Sequence, residues 1–269
     1  MIRIENIIRM ALIMLPLAYT TAANSHSLWV NQPTVESGKT VVVEMGYGDE
    51  FPTAEPIVAD RLHIFAPMKM IGAAGELTLL PGNKNYQFVS KTPITKGSYL
   101  VLATYNPTFW SKNAKGWKQQ SRNEMSDASY CEVASMFGKT LIDVDQANNM
   151  ALLSEPQGQK LEIIPLANPS LIKPGQPFPI QVLYDGKPAK NIAVSATFAG
   201  FGDPHEHHGH THSHAQAFLN KTDGQGKVNI YPLKAGYWIA SVEYKSPFED
   251  KTQCDEYVTQ STLTFTITE

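Results

Sequence analysis

Six of the chain's eight histidines crowd into the string DPHEHHGHTHSHA. They are His205, His207, His208, His210, His212 and His214, with Asp203 and Glu206 among them. Neutral imidazole is the commonest protein metal ligand, and a short histidine-rich tract is a compositional mark of metal binding. From His208 to His214 every second residue is histidine, so an extended backbone projects those rings to one side. Imidazole together with carboxylate suits zinc, copper or nickel. Gly200, Gly202 and Gly209 surround the tract, which reads as a surface loop of modest affinity and poor selectivity.

A second imidazole stands at a place of chemical interest. His26 begins the run HSLWV, directly after TTAANS. Upstream, Arg3 and Arg9 precede the short apolar stretch Met10–Ala18, and small residues follow. This layout reads residues 1–25 as a secretory signal peptide, too short in its apolar part to span a bilayer. Cleavage after Ala23 would leave Asn24-Ser25-His26, a terminus able to offer four nitrogens in a plane. Cleavage after Ser25 would leave His26 first, able to chelate through its amine and ring. Both products favour Cu(II) or Ni(II). The stretch MGYGDEFPTAE, with Asp49, Glu50 and Glu55, reads as a functional loop or equally as a turn between strands. His63, in RLHIF, reads as an ordinary histidine rather than a ligand.

Catalytic patterns are missing. No G-x-S-x-G, phosphate loop, C-x-x-C or H-E-x-x-H occurs, which points to a binding protein and not an enzyme. The formal charge of -3 over 269 residues has no basic run to hold nucleic acid. After signal cleavage no segment is long enough to span a membrane. Cys131 and Cys254 either form one disulfide, as an exported chain permits, or remain two half-buried thiols; spacing alone does not decide.

The elements that must carry these residues read as short strands, rich in β-branched and aromatic residues and punctuated by Gly and Pro. Examples are Val41–Met45, Arg61–Phe65, Tyr99–Thr104, Phe178–Tyr184, Trp238–Tyr244 and Ser261–Thr268. In TLTFTIT, Leu263, Phe265 and Ile267 alternate with threonines, as in a half-buried strand. The pair Asp185–Gly186 predicts a tight turn. Tyr130, Val133, Ala134, Phe137 and Leu141 recur at helical spacing, which predicts one helix near 128–142. The reading is therefore all-β, with two β-sandwich domains. Residues 26–158 form the N-terminal one with its helix. Residues 159–269 form an immunoglobulin-like or transthyretin-like sandwich that carries the histidine loop.

The start HSLWV, the stretch GYGDEFPTAE and the pattern GYWIASVEY…CDEYVTQSTLTFTI resemble the DUF4198 family of periplasmic proteins, over most of the mature chain. That resemblance implies two β-rich domains and an accessory role beside an inner-membrane nickel or cobalt transporter. The family pattern carries a histidine at the position where this chain has Asp49. Taken together, the expectation is a periplasmic protein that captures Ni2+ or Co2+ through His26 and the tract histidines. Rival readings are a general Zn2+/Cu2+ buffer, a copper redox enzyme built on an N-terminal His26 and His63, and a structural sandwich with an incidental loop.

Overall fold

A computed structural model describes residues 26–201 and 216–269. The leader and all six tract histidines lie outside the described residues. The framework is one large sheet that serves two smaller ones. Its strands are β3 (Phe65–Gly72), β4 (Gly75–Leu77), β7 (Gly97–Asn113), β8 (Gly116–Lys118), β9 (Tyr130–Val144), β13 (Ala193–Phe198), β14 (Phe218–Lys221), β16 (Gly236–Pro247) and β17 (Glu256–Ile267). Their spatial order is β14-β13-β16-β17-β9-β7-β3-β4, with β8 hydrogen-bonded to β7.

Two small sheets pack on this one. The first, β1 (Ser27–Val30), β2 (Val42–Gly48), β6 (Gln87–Ser90) and β5 (Leu79–Pro81), encloses a core that includes Leu28, Val43, Met70, Val101 and Ile142. The second, β10 (Leu161–Pro165), β11 (Phe178–Tyr184), β12 (Lys187–Pro188) and β15 (Lys227–Ile230), encloses Ile163, Phe178, Ile180, Trp238 and Phe265. The chain is thus all-β, two sandwiches on one continuous sheet. Their joint is the parallel pairing of β17 with β9, in register from Glu256↔Glu132 to Thr264↔Thr140. At this joint Lys139, fully buried, places Nζ 2.6 Å from Glu162 Oε1 and 3.1 Å from the Ile163 carbonyl. Among the described residues no helix is long and apolar enough to cross a membrane.

The helix expected near 128–142 is strand β9. Its central position explains the misreading. Leu141 belongs to the second core, whereas Ala134, Met136, Ile142 and Val144 belong to the first. A strand buried on both faces loses its polar alternation, and an apolar run then mimics helical spacing. Gly138 is the local clue. A Cβ there would stand 3.1 Å from the Trp29 Cα, so its absence lets β1 lie close against β9. Arg61–Phe65, read as a strand, is mostly a 3-10 turn over Ala59–Ile64, with β3 starting at Phe65.

The last strand obeys its sequence pattern with one addition. Leu263, Phe265 and Ile267 are buried as the alternation requires, but Thr262 and Thr264 are buried too. Their hydroxyls donate to the Leu28 and Val30 carbonyls at 2.6 and 2.7 Å. The Tyr237 hydroxyl adds a third bond to Val30 O at 3.0 Å and accepts from the Gln32 N–H at 2.9 Å. Strand β1 is therefore held on one side by β2 and on the other by side chains of β16 and β17. Each such bond contributes about 1 kcal/mol net. The Asp185–Gly186 pair forms the expected two-residue turn, with positive φ at both positions joining Tyr184 to Lys187. Cys131 and Cys254 are joined as a disulfide with Cα atoms 4.9 Å apart.

Candidate metal site

The register of β1 on β2 decides what His26 meets. Ser27 lies opposite Gly48, so one residue further out His26 stands beside Asp49. After Asp49 the chain reverses through a turn that contains the cis Phe51–Pro52 peptide and a bridge between Glu50 and Thr53. The Glu55 N–H then donates to the Tyr47 carbonyl at 2.8 Å, which returns Glu55 to the same corner. Phe51 anchors the turn by packing on Trp29 and Tyr237, with ring centroids 5.9 and 4.7 Å away.

Three ligand-bearing side chains converge there. His26 Nδ1 is 3.0 Å from Asp49 Oδ1 and 3.5 Å from Glu55 Oε1, and all three ligand atoms lie within 4.8 Å of one another. Metal–ligand bonds of about 2.1 Å place neighbouring donors roughly 3.0 Å apart at right angles and about 3.4 Å apart at tetrahedral angles. The two His–carboxylate spacings match that requirement. Among the described residues this is the one such group of three or more His, Cys, Asp or Glu.

The polar atoms themselves behave like ligands short of a partner. Nδ1 of His26 and Oδ1 of Asp49 are both shielded from solvent, and among the described residues neither has a hydrogen-bond partner. They are close enough to attract but lie off the direction a hydrogen bond requires. A buried polar atom left unpaired costs about 1–3 kcal/mol. A cation held between them would remove that cost. The rims stay accessible, since the Glu55 side chain is 53% exposed against 32% for His26.

Gly48 makes room for the third ligand. Its φ is +145°, and a Cβ would meet Glu55 Cγ at 3.0 Å and Oε1 at 3.1 Å. Behind the site the His26 ring rests on Tyr47, centroids 4.9 Å apart, and Tyr47 rests on Phe65 and Tyr105. Burial raises the Tyr47 hydroxyl well above the ordinary phenol range. Nearby Tyr105, Glu55 and Asp49 push the same way, against Arg61. Tyr47 accordingly keeps its proton and acts as a wall, not as an anionic ligand.

One nitrogen and two carboxylate oxygens make a borderline-to-hard donor set. Such a set suits Ni2+, Co2+ or Zn2+ and leaves coordination positions open. Of the expected metal ligands, the structure brings His26 into this cluster; the six tract histidines lie outside the described residues. His63 stands apart from the cluster, with Nε2 3.1 Å from Gln119 Nε2. Asp49 and Glu55 were visible in sequence only as acids of an ambiguous turn. The usable signal is their place in GYGDEFPTAE, with Asp49 next to Gly48 and Glu55 at the end of the same stretch.

The family described as a domain of unknown function, DUF4198, matches residues 23–246. No curated protein matches the chain. Among solved structures the chain is similar to the human OSCAR ligand-binding domain, with 12% identity, 90% of this chain and 98% of that one covered, and a TM-score of 0.22. It is also similar to fibronectin(III)-like modules of Clostridium thermocellum CbhA, with 10% identity, 88% and 93% covered, and a TM-score of 0.20. The D00-D0 domain of Intimin gives 11% identity, 90% and 100% covered, and a TM-score of 0.21. Overlaps this loose assign neither fold nor function.

Proposed function

The chain belongs to the DUF4198 family, and from that premise we propose that it is an exported, periplasmic protein that captures a divalent transition metal, nickel or cobalt, and passes it to an inner-membrane importer. The family's description names no activity, so the reading rests on the site. One observation carries it: His26 Nδ1, Asp49 Oδ1 and Glu55 Oε1 converge at spacings that suit metal coordination. Among the described residues two of these atoms have no hydrogen-bond partner.

Two further features support the reading. The Cys131–Cys254 disulfide suits an oxidising compartment, in line with the leader-like residues 1–25. The histidine tract supplies six imidazoles within ten residues, a composition suited to collecting ions at low selectivity. The site at His26 is built on paired strands, which fixes ligand positions. Collection by the tract and tighter retention at His26 form a natural sequence of events.

Metal analysis of protein isolated without an affinity tag from its native host tests this reading. Nickel or cobalt near one equivalent per chain or above is the expected result. A metal-free protein that also fails to bind Ni(II) or Co(II) at pH 7.5 contradicts it. Zinc or copper as the native metal would move the function to the buffering of those ions. The importer role predicts lower cellular nickel or cobalt in a deletion strain grown at limiting metal.

A further inference from the structure

Three protein ligands leave the site short, since Ni2+, Co2+ and Zn2+ take four to six. The ring nitrogen that faces the carboxylates says where another donor lies. It is Nδ1, the nitrogen nearer the main chain, that stands 3.0 Å from Asp49 and 3.5 Å from Glu55. A metal on Nδ1 can close a six-membered chelate ring through Cγ, Cβ, Cα and the main-chain nitrogen of the same histidine. A metal on Nε2 cannot. Within an intact chain that nitrogen is an amide whose lone pair is delocalised into the carbonyl, and it makes a poor ligand.

The residues before it offer a way to change this. Ala23 and Ser25 flank Asn24, the small-x-small pattern read by leader peptidases. We infer that processing between Ser25 and His26 completes the site, the freed α-amino group of His26 joining Nδ1, Asp49 and Glu55 as the fourth ligand. Hydrolysis breaks the Ser25–His26 C–N bond. The water's hydroxyl goes to the Ser25 carbonyl and its proton to the His26 nitrogen, which changes from amide to amine. The amine is basic near pH 8 and has a lone pair to give. The product is a donor set of two nitrogens on one residue and two carboxylates on a strand-anchored turn.

The competing cut, after Ala23, fits the observed corner less well. An Asn24-Ser25-His26 terminus wraps a metal in four nitrogens of its own in one plane. Asp49 and Glu55, both beside Nδ1, would then be left only the axial positions. The structure instead presents two carboxylates at distances suited to ligands in their own right. The inference rests on the metal-binding reading above and deepens it by naming the ligand and the event that creates it.

Its test separates the two. The mature terminus of protein recovered from the native host is read by intact mass and N-terminal sequencing. Two full mature chains are then prepared, one beginning at His26 and one keeping Ser25, each with the six tract histidines changed to asparagine. Ni(II) is titrated into both by calorimetry. The expected results are a native chain that begins at His26 and binding at least tenfold weaker when Ser25 is kept. A native chain with another first residue, or equal affinities for the two forms, overturns the inference. With equal affinities, a Glu55→Gln variant of the His26-first chain that binds more weakly leaves the metal site standing. The same variant with unchanged binding removes both.

Discussion

Gly48 and Glu55 stand in close approach: a Cβ on Gly48 would lie 3.0 Å from Glu55 Cγ, tighter than side chains normally pack. The two residues flank the turn that brings the second carboxylate to His26, so one missing methyl group sets where Glu55 sits. Gly48→Ala should therefore push the carboxylate outward by a few tenths of an ångström and strain a backbone at φ +145°. Ni(II) affinity should fall about three- to tenfold, since remaining fold contacts are unaffected. Calorimetric titration beside a thermal melt separates the loss of binding from loss of fold.

Charge at the site can be removed without changing its shape. Asp49→Asn and Glu55→Gln each keep volume but lose the anionic oxygen that a divalent ion prefers. Each should weaken Ni(II) or Co(II) binding by at least about tenfold, since changing even the outer partners of metal ligands costs about ten- to a hundredfold. The metal-free proteins should melt within a few degrees of wild type, because the neutral variants also relieve crowding of two carboxylates. Loss of fold in place of loss of metal would show these residues to be structural.

One of the three residues of this site stands out in the sequence and two do not. His26 stood out because it follows small residues and opens a strand. Asp49 and Glu55 lie far from it along the chain, and only the β1–β2 register and the turn closed by the Glu55 N–H to Tyr47 carbonyl bond join them. Short-range pattern does not encode such a return. The fold shows the same division. Strand β17 was readable because Leu263, Phe265 and Ile267 alternate. Strand β9 was read as a helix because it is buried on both faces, where alternation vanishes. That β17 pairs with β9 in parallel, so that two sandwiches share one sheet, has no local signature at all.

The buried pair at the joint should show strong coupling. Burial works against the charge on Lys139 and lowers its pKa, while Glu162 opposes that shift. Glu162 is further held by the Gln157 and Gly158 N–H groups at 2.7 and 3.1 Å. Lys139→Met strands a buried carboxylate and should cost about 3–5 kcal/mol. Adding Glu162→Gln, which removes the unpaired charge and keeps an acceptor oxygen for one of the two N–H groups, should recover part of that. Urea unfolding of the single and double variants measures the coupling; additive losses would contradict it.

Removing the disulfide acts at the other end of the same joint. Cys131 and Cys254 are separated by 123 residues, so the cross-link restricts a long loop in the unfolded chain. Changing both to alanine should lower stability by about 4–5 kcal/mol in the chain-entropy model. Nickel affinity of the folded protein should stay unchanged, because the site lies on β1 and β2. Urea titration and calorimetry check the two halves of this expectation.

Acid should release the neighbouring Asp255 clamp. Burial alone would raise its pKa, but the hydrogen bonds from Arg122 and from the Cys131 N–H outweigh it and hold the carboxyl below its ordinary value. A depressed carboxylate stabilises the fold above its unfolded pKa of about 3.9 and loses that contribution as pH falls through the folded value. Asp255→Asn should be less stable than wild type by about 1 kcal/mol at pH 7, given its partial exposure. The two proteins should converge as pH falls through the depressed folded value. A constant difference across that range would assign Asp255 a role independent of charge.

The most direct measurement is a Ni(II) titration of the mature chain with its six tract histidines replaced by asparagine, run beside the same chain carrying His26→Ala. The account predicts one tight equivalent for the first protein and its loss in the second. Equal binding by both, or none by either, would mean that the convergence of His26, Asp49 and Glu55 holds no metal.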